Sequence, residues 1–322
     1  MMQAVQIHKF GGPEVLRLEE LEVPVPTAAE VLVRVLAAGV NPVDTYQRSG
    51  ANPNLALPAI LGLDAAGIVE RVGADVQGLC QGDRVYVSGS RTGAYAQFLV
   101  STPAQTFTLP PSISFSQGAA LGIPYATAYR ALVQRGETKA GDLVLVHGAS
   151  GCVGLAVLQF AKALGFRVVG TAGTIQGREL VLASGALAAL DHNSNTYIDE
   201  LLAFSQGRGF DVILEMLANV NLGKTLPLLA KRGRVVVIGS RGKVEILPRD
   251  LMTREADIRG MSLFNVPLEE LGSIHAAVGV GLRDGSLRPK MAAEMPLSDA
   301  GKAHQQVLRA GVGGKLVLLP WV

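Results

Sequence analysis

The segment "GVNPVDTYQRSG", residues 39–50, gathers Asn41, Asp44, Tyr46 and Arg48 into one short stretch between apolar runs. A carboxamide, a phenol and a guanidinium are hydrogen-bond donors, and the Asp44 carboxylate can hold Arg48 in place. No cysteine, histidine or base-paired serine accompanies them, so the segment carries no nucleophile. Stabilising negative charge as it develops on a bound oxygen is the chemistry open to such a set. A structural reading stands beside it. Asn41 reads as an N-cap, Pro42 as the first helical residue and Gly50 as the stop, with Asp44 and Arg48 forming an i,i+4 surface ion pair.

The elements that must position these residues follow from the chain as a whole. Its 322 residues suffice for roughly two domains, and 48% hydrophobic with 17% charged residues mark a globular chain. The 29 basic and 27 acidic residues are interspersed and leave a net charge of +2, with no basic run to attract nucleic acid. No stretch approaches the roughly 20 apolar residues that span a bilayer. The opening "MMQAVQIHKF" lacks the charged-then-apolar plan of a signal peptide. Cys80 and Cys152 are far apart and fit a reducing compartment, so a cytoplasmic protein is expected.

Up to about residue 124 the chain reads as short strands broken by glycine and proline, such as "EVLVRVLAAGV" and "GDRVYVSGS". That style predicts a small barrel or sandwich. After "GIPYATAYRAL" strand-like and helix-like runs alternate, which predicts βαβ units and a doubly wound parallel sheet. The runs "LVLVH" and "RVVVIG" are apolar throughout, as strands covered on both faces are. "GKLVLLPWV" ends the sequence with one more strand, and a return of this segment to the first domain is expected.

The strand "DLVLVH" leads into "GASGCVG" and then into an apolar helix. Against G-x-G-x-x-G the loop places Ala149, Gly151 and Gly154. A small residue at 151 lets the backbone approach a pyrophosphate, the helix N-terminus behind it supplies N–H groups and a favourable dipole, and Gly154 permits close helix–strand packing. NAD sites carry an acid about 20 residues on, but here "VVGTAGTIQGR" holds neither Asp nor Glu. Thr171, Thr174 and Arg178 offer hydroxyls and a positive charge suited to a 2′-phosphate, so NADPH is the expected cofactor. A polar turn that discriminates nothing is the competing reading.

These motifs together resemble the medium-chain dehydrogenase/reductase superfamily. The landmarks run almost end to end: "GLDAAGIVERVG", "GDRV", "GAYAQF", "PYATAYRAL", "GASGCVG" and "GKLVLL". Within it, "NPVDTYQRSG", "EMLANVNL" and "VIGSRGKVEILPRD" are similar to the zinc-free, zeta-crystallin-like NADPH:quinone oxidoreductases. The resemblance implies a chaperonin-10-like (GroES-like) β-barrel domain over 1–124 and 266–322 and a Rossmann NADPH-binding domain over 125–265, in a homodimer. The apolar "DIRGMSLF" supports the dimer as an unpaired edge strand.

Zinc-dependent members of the superfamily place a cysteine where this chain has Asn41 and a His-Glu pair where it has Leu63-Asp64. Their cluster of four cysteines is missing as well. A catalytic zinc needs about three protein ligands, so no metal is expected. Quinone reduction has less need of one, because the oxyanion it creates is delocalised over a ring. With tyrosine (pKa about 10) and water (about 15.7) as stand-ins, delocalisation spares about 8 kcal/mol of charge stabilisation.

The resemblance further implies that Thr127, the loop residues Ala149, Ser150, Gly151, Cys152, Val153 and Gly154, then Thr171, Gly173, Thr174 and Arg178, line the cofactor cleft. It carries over His192, Leu217, Asn219, Gly239, Ser240, Arg241, Phe264 and Lys315 in the same way. Two positions depart from relatives: Gly177 replaces a lysine, with Arg178 one place later, and His192 replaces a tyrosine. Three functions stay open at this point. They are hydride transfer from NADPH to a quinone, reduction of an enone or enal carbon–carbon double bond, and a non-catalytic NADPH-binding structural or RNA-binding role.

Overall fold

The computed structural model describes the backbone of residues 1–322 and every side chain except that of Leu268. The chain divides into two compact units: residues 1–123 with 288–322, and residues 124–287.

In the first unit, the ten-residue strand Val31–Val40 is central. It pairs antiparallel with Asp64–Val72, Phe98–Ser101 and the C-terminal strand Lys315–Leu319. The last of these in turn lies parallel to Met291–Pro296. Val33, Val35, Ala65, Tyr95, Leu99, Leu316 and Leu318 share one buried core, so the C-terminal segment completes the first unit as expected. A return at residue 266 was set too early, however. The 17-residue helix Leu268–Asp284 stays with the second unit, and its Ile274, Val278 and Leu282 are fully buried.

The second unit is a six-stranded, all-parallel sheet. In spatial order its strands are Ala188–Leu190, Arg167–Thr171, Leu143–Val146, Phe210–Glu215, Leu229–Val237 and Asp257–Gly260. Numbered along the chain this is 3-2-1-4-5-6, the doubly wound order whose direction reverses at the first strand. Leu143–Val146 is buried at every position, which matches its uninterrupted apolar sequence. Ligands of such sheets bind beyond the carboxyl ends of the strands at the reversal, and the loop after Val146 sits there.

Candidate active site and dinucleotide loop

Pro42–Arg48 is a helix with Asn41 as N-cap in extended conformation. Asp44 Oδ2 accepts the Asn41 backbone N–H at 2.8 Å, one arm of a capping box, and the Asn41 side chain makes further bonds within the fold. Its Nδ2 donates to Asp64 Oδ2 at 2.9 Å, and its Oδ1 accepts from Lys315 Nζ at 2.6 Å. Lys315 Nζ also reaches Asp64 Oδ2 at 3.0 Å, and Asp64 Oδ1 accepts the Ile123 N–H at 2.9 Å. Asn41, Asp64 and Lys315 are all at least 98% buried, at 2%, 0% and 1% exposure. The Lys315 ammonium makes its hydrogen bonds within this cluster.

The expected Asp44–Arg48 ion pair is not made. Arg48 is buried, with Nε on the Gly11 carbonyl at 3.1 Å and Nη1 3.2 Å from His304 Nδ1. His304 Nε2 lies 3.0 Å from the Tyr95 hydroxyl, which donates to Asp44 Oδ2 at 2.9 Å. The protons along this chain are determined. Arginine only donates, so Nδ1 of His304 accepts and its Nε2–H donates to the Tyr95 oxygen, leaving the Tyr95 proton for Asp44. Burial holds His304 neutral, its pKa pushed down to about 3 with help from the Arg48 charge. Burial likewise pushes Asp44 up to about 7, against the Asn41 N–H and with the Asp64 charge adding to the rise. Arg48 thus ties the helix to Gly11 and His304 within the first unit. Tyr46 is half-buried on the same helix.

Asp64, Tyr95 and His304 were not singled out as site residues. Asp64 carried a signal, since an acid at the head of the apolar run "DAAGIV" needs a buried cation. Nothing local marks Tyr95 or His304.

In the second unit the glycine loop takes its expected shape. Gly151 is the extended N-cap of the 13-residue helix Cys152–Leu164, without a side-chain cap and without an acid in the first turn. A Cβ at Gly151 would find its nearest neighbour, the Gly148 carbonyl, at 3.4 Å, so ligand atoms can approach the backbone. At Gly154 a Cβ would lie 2.5 Å from Ala149 Cα, so only glycine allows the packing there. Ser150, Cys152 and Val153 are half-buried around the loop, and Ala149 is buried beneath it. This cradle fits a dinucleotide pyrophosphate.

Arg178 and Thr174 stand at the start of helix Ile175–Ala183, where the Thr174 hydroxyl accepts the Gly177 N–H at 3.0 Å. Arg178 Nη1 is 2.7 Å from Asp191 Oδ2, an acid that lies after the third strand and was not anticipated. Thr171 departs from expectation. It is fully buried, its hydroxyl accepting the Gly148 N–H at 3.2 Å and lying 3.2 Å from His192 Nδ1, so it supports the loop from below. At Gly173 a Cβ would meet His192 Nε2 at 2.7 Å. On the far side of the reversal, Asn219 Oδ1 accepts the Arg241 N–H at 2.8 Å and the Gly239 carbonyl accepts the Ala218 N–H at 2.9 Å. Glu215 Oε1 holds the Leu217 N–H at 2.8 Å. These bonds draw Leu217, Asn219, Gly239 and Arg241 together, with Ser240 exposed beside them. Thr127 is buried within helix Gly122–Tyr129, and Phe264 is exposed in a short turn. Beneath the loop, His147 Nε2 lies 3.9 Å from Glu215 Oε2; burial pushes the histidine down to about 3 and the glutamate upward.

Residues 27–111 match the alcohol dehydrogenase GroES-like domain family, and residues 152–275 match the zinc-binding dehydrogenase family. The chain is 45% identical to the quinone oxidoreductase of Homo sapiens, over 99% of its own length and 98% of that protein. The chain belongs to the quinone oxidoreductase family. Solved structures agree with this placement. The quinone oxidoreductase of Pseudomonas syringae superposes with a TM-score of 0.92 at 31% identity, covering 99% of this chain and 100% of that one. The Escherichia coli quinone oxidoreductase complexed with NADPH gives 0.91 at 32%, with the same coverage.

Zinc does not fit this family member. Position 63 is leucine, and Asn41 and Asp64 already satisfy the Lys315 ammonium. Among the described residues no group of three or more His, Cys, Asp or Glu side chains could hold a metal ion. No helix among them is long and apolar enough to cross a membrane.

Proposed function

We propose that this protein transfers a hydride from NADPH to a quinone without a metal, in the cytoplasm. The observation that supports this most is the buried Asn41–Asp64–Lys315 cluster at the foot of the helix bearing Tyr46, where an organised set of donors stands in place of a metal ligand set. NADPH, when bound, supplies the hydride, and a proton from solvent completes the hydroquinone. The N-terminus of helix Cys152–Leu164 would take the pyrophosphate, and Arg178 and Thr174 the 2′-phosphate. Tyr46 and Asn41 orient the quinone carbonyl and share the charge that develops on its oxygen. That charge is delocalised over the ring, so neutral donors suffice. Both cysteines are free, with Cys80 exposed and Cys152 half-buried, which suits a reducing compartment.

A panel of quinones and enones with NADPH tests the reading; turnover of no quinone refutes it. Two variants divide the roles on the helix. Tyr46→Phe should lower quinone kcat about tenfold with NADPH affinity unchanged. Arg48→Ala should destabilise the first unit by about 2–3 kcal/mol, because it strips donors from Gly11 and His304, yet keep turnover per folded molecule. Wild-type turnover in Tyr46→Phe would move the donor elsewhere.

The 2′-phosphate contact has its own test. With Arg178 removed, Asp191 would face the phosphate unpaired. Arg178→Ala should therefore lower NADPH affinity at least tenfold and leave NADH nearly unchanged, while Asp191→Asn should strengthen NADPH binding. Equal losses for both cofactors in fluorescence titrations would refute the assignment.

A homodimer is the proposed assembly. Strand Asp257–Gly260 ends the parallel sheet with one edge unpaired among the described strands, and Ile258 and Phe264 are exposed near it. Light scattering at micromolar concentration should give twice the chain mass; a monomer would overturn the assembly.

A further inference from the structure

A buried ammonium occupies the polar cluster of the first unit, and the backbone is cut away to admit it. Strand Lys315–Leu319 lies antiparallel to Val31–Val40, with Val317 opposite Gly39. A Cβ at Gly39 would fall 2.6 Å from Lys315 Cε and 2.0 Å from the Ala119 carbonyl, so only glycine leaves room for the lysine stem. Lys315 Nζ uses two of its three hydrogens, on Asn41 Oδ1 at 2.6 Å and Asp64 Oδ2 at 3.0 Å. Asp64 is otherwise filled by the Asn41 Nδ2 and the Ile123 N–H.

An ion pair that served stability alone would be no better than well-packed apolar side chains of the same volume. This one does something that apolar residues cannot. Because the ammonium claims Oδ1, the Asn41 carboxamide has a single orientation, with its Nδ2 turned to Asp64 Oδ2, the same oxygen that the ammonium holds. One Nδ2 hydrogen goes to Asp64, and the other has no partner among the described residues. A cation on the oxygen end of an amide draws electron density from the nitrogen and makes its N–H a stronger donor.

We propose that Lys315 is a positioning residue for the acceptor, a built-in cation that orients and polarises the Asn41 carboxamide and does through it what a metal ion does in zinc-binding relatives. The assignment rests on the quinone-reduction reading for its substrate class. It explains why a chain matched by a zinc-binding dehydrogenase family carries a lysine against Asn41 and Asp64. The charge stays fixed by covalent attachment and needs no ligand set.

Lys315→Met alone strands Asp64 and is expected to lower both melting temperature and turnover, so the deciding variant is the double change Lys315→Met with Asp64→Asn. Removing both charges should restore the melting temperature to within a few degrees of wild type. Quinone kcat should stay at least tenfold down, with KM changed less than threefold and NADPH Kd unchanged. A second measurement needs no turnover. 4-Nitrophenol, a phenolate that absorbs in the visible, should ionise at least one pH unit lower in the wild-type complex than in water, and the double variant should abolish that shift. Wild-type turnover in the double variant, or an unshifted nitrophenol titration in the wild type, overturns the proposal. A wild type that reduces no quinone yet shifts nitrophenol would sink the substrate reading and leave the role of Lys315 standing.

Discussion

Acidification to pH 5 should destabilise the second unit by about 4 kcal/mol relative to pH 7, while the first unit barely responds. Burial holds His147 neutral down to about pH 3 and His275 down to about pH 4. In the unfolded chain both protonate near pH 6.5, so below that value the unfolded state binds more protons and stability falls. Each histidine contributes about 1.4 kcal/mol per pH unit, and two histidines over one and a half units give the figure. Glu215 works in the opposite sense, since its pKa is raised, and it softens the loss. In the first unit the two directions nearly cancel. His304, depressed to about 3, costs about 2 kcal/mol by pH 5. Asp44, raised to about 7, holds its proton in the folded state, and its contribution grows by about 3 kcal/mol over the same range. The sequence holds a single tryptophan, Trp321, and it lies in the first unit, with its indole N–H on the Val35 carbonyl at 2.7 Å. Its fluorescence should therefore keep its urea midpoint between pH 7 and pH 5 while the far-UV circular dichroism gains an earlier transition at pH 5. Coincident transitions that shift together would contradict this division, and His275→Phe should remove about half of the acid response.

Asp64→Ala should cost the first unit about 3–5 kcal/mol, the usual penalty for stranding one partner of a buried ion pair. The Lys315 ammonium, 1% exposed, would keep only the Asn41 carbonyl oxygen, and the Ile123 N–H would lose its acceptor. Trp321 fluorescence in urea reports the loss, and turnover should fall with it because Asn41 is released. A change below about 1 kcal/mol would mean that water reaches the cluster and that Lys315 is not enclosed. Asp64→Asn should cost less, since a carboxamide oxygen can still accept from the ammonium.

Some of this was legible in the sequence. "LVLVH" followed by "GASGCVG" specified a buried parallel strand, a tight turn and a helix N-terminus, because apolar periodicity and glycine placement act through neighbouring residues. The same holds for the Pro42–Arg48 helix and its ends. The boundary near residue 266 misled, because "VPLEELGSIHAAVGVGLRD" is an amphipathic helix that either unit could have buried, and only packing decides between them. Partner choice inside the site was decided by tertiary structure alone. Asp44 and Arg48, four residues apart, have the spacing of a surface pair, yet closure of the barrel buried both and gave each a nearer partner. Lys315 is 274 positions from Asn41 and 251 from Asp64, and His304 is 256 from Arg48. No local pattern records such distances. A buried charge takes whichever counter-group the folded chain brings within about 3 Å, because leaving it unpaired costs more than any local preference can offset.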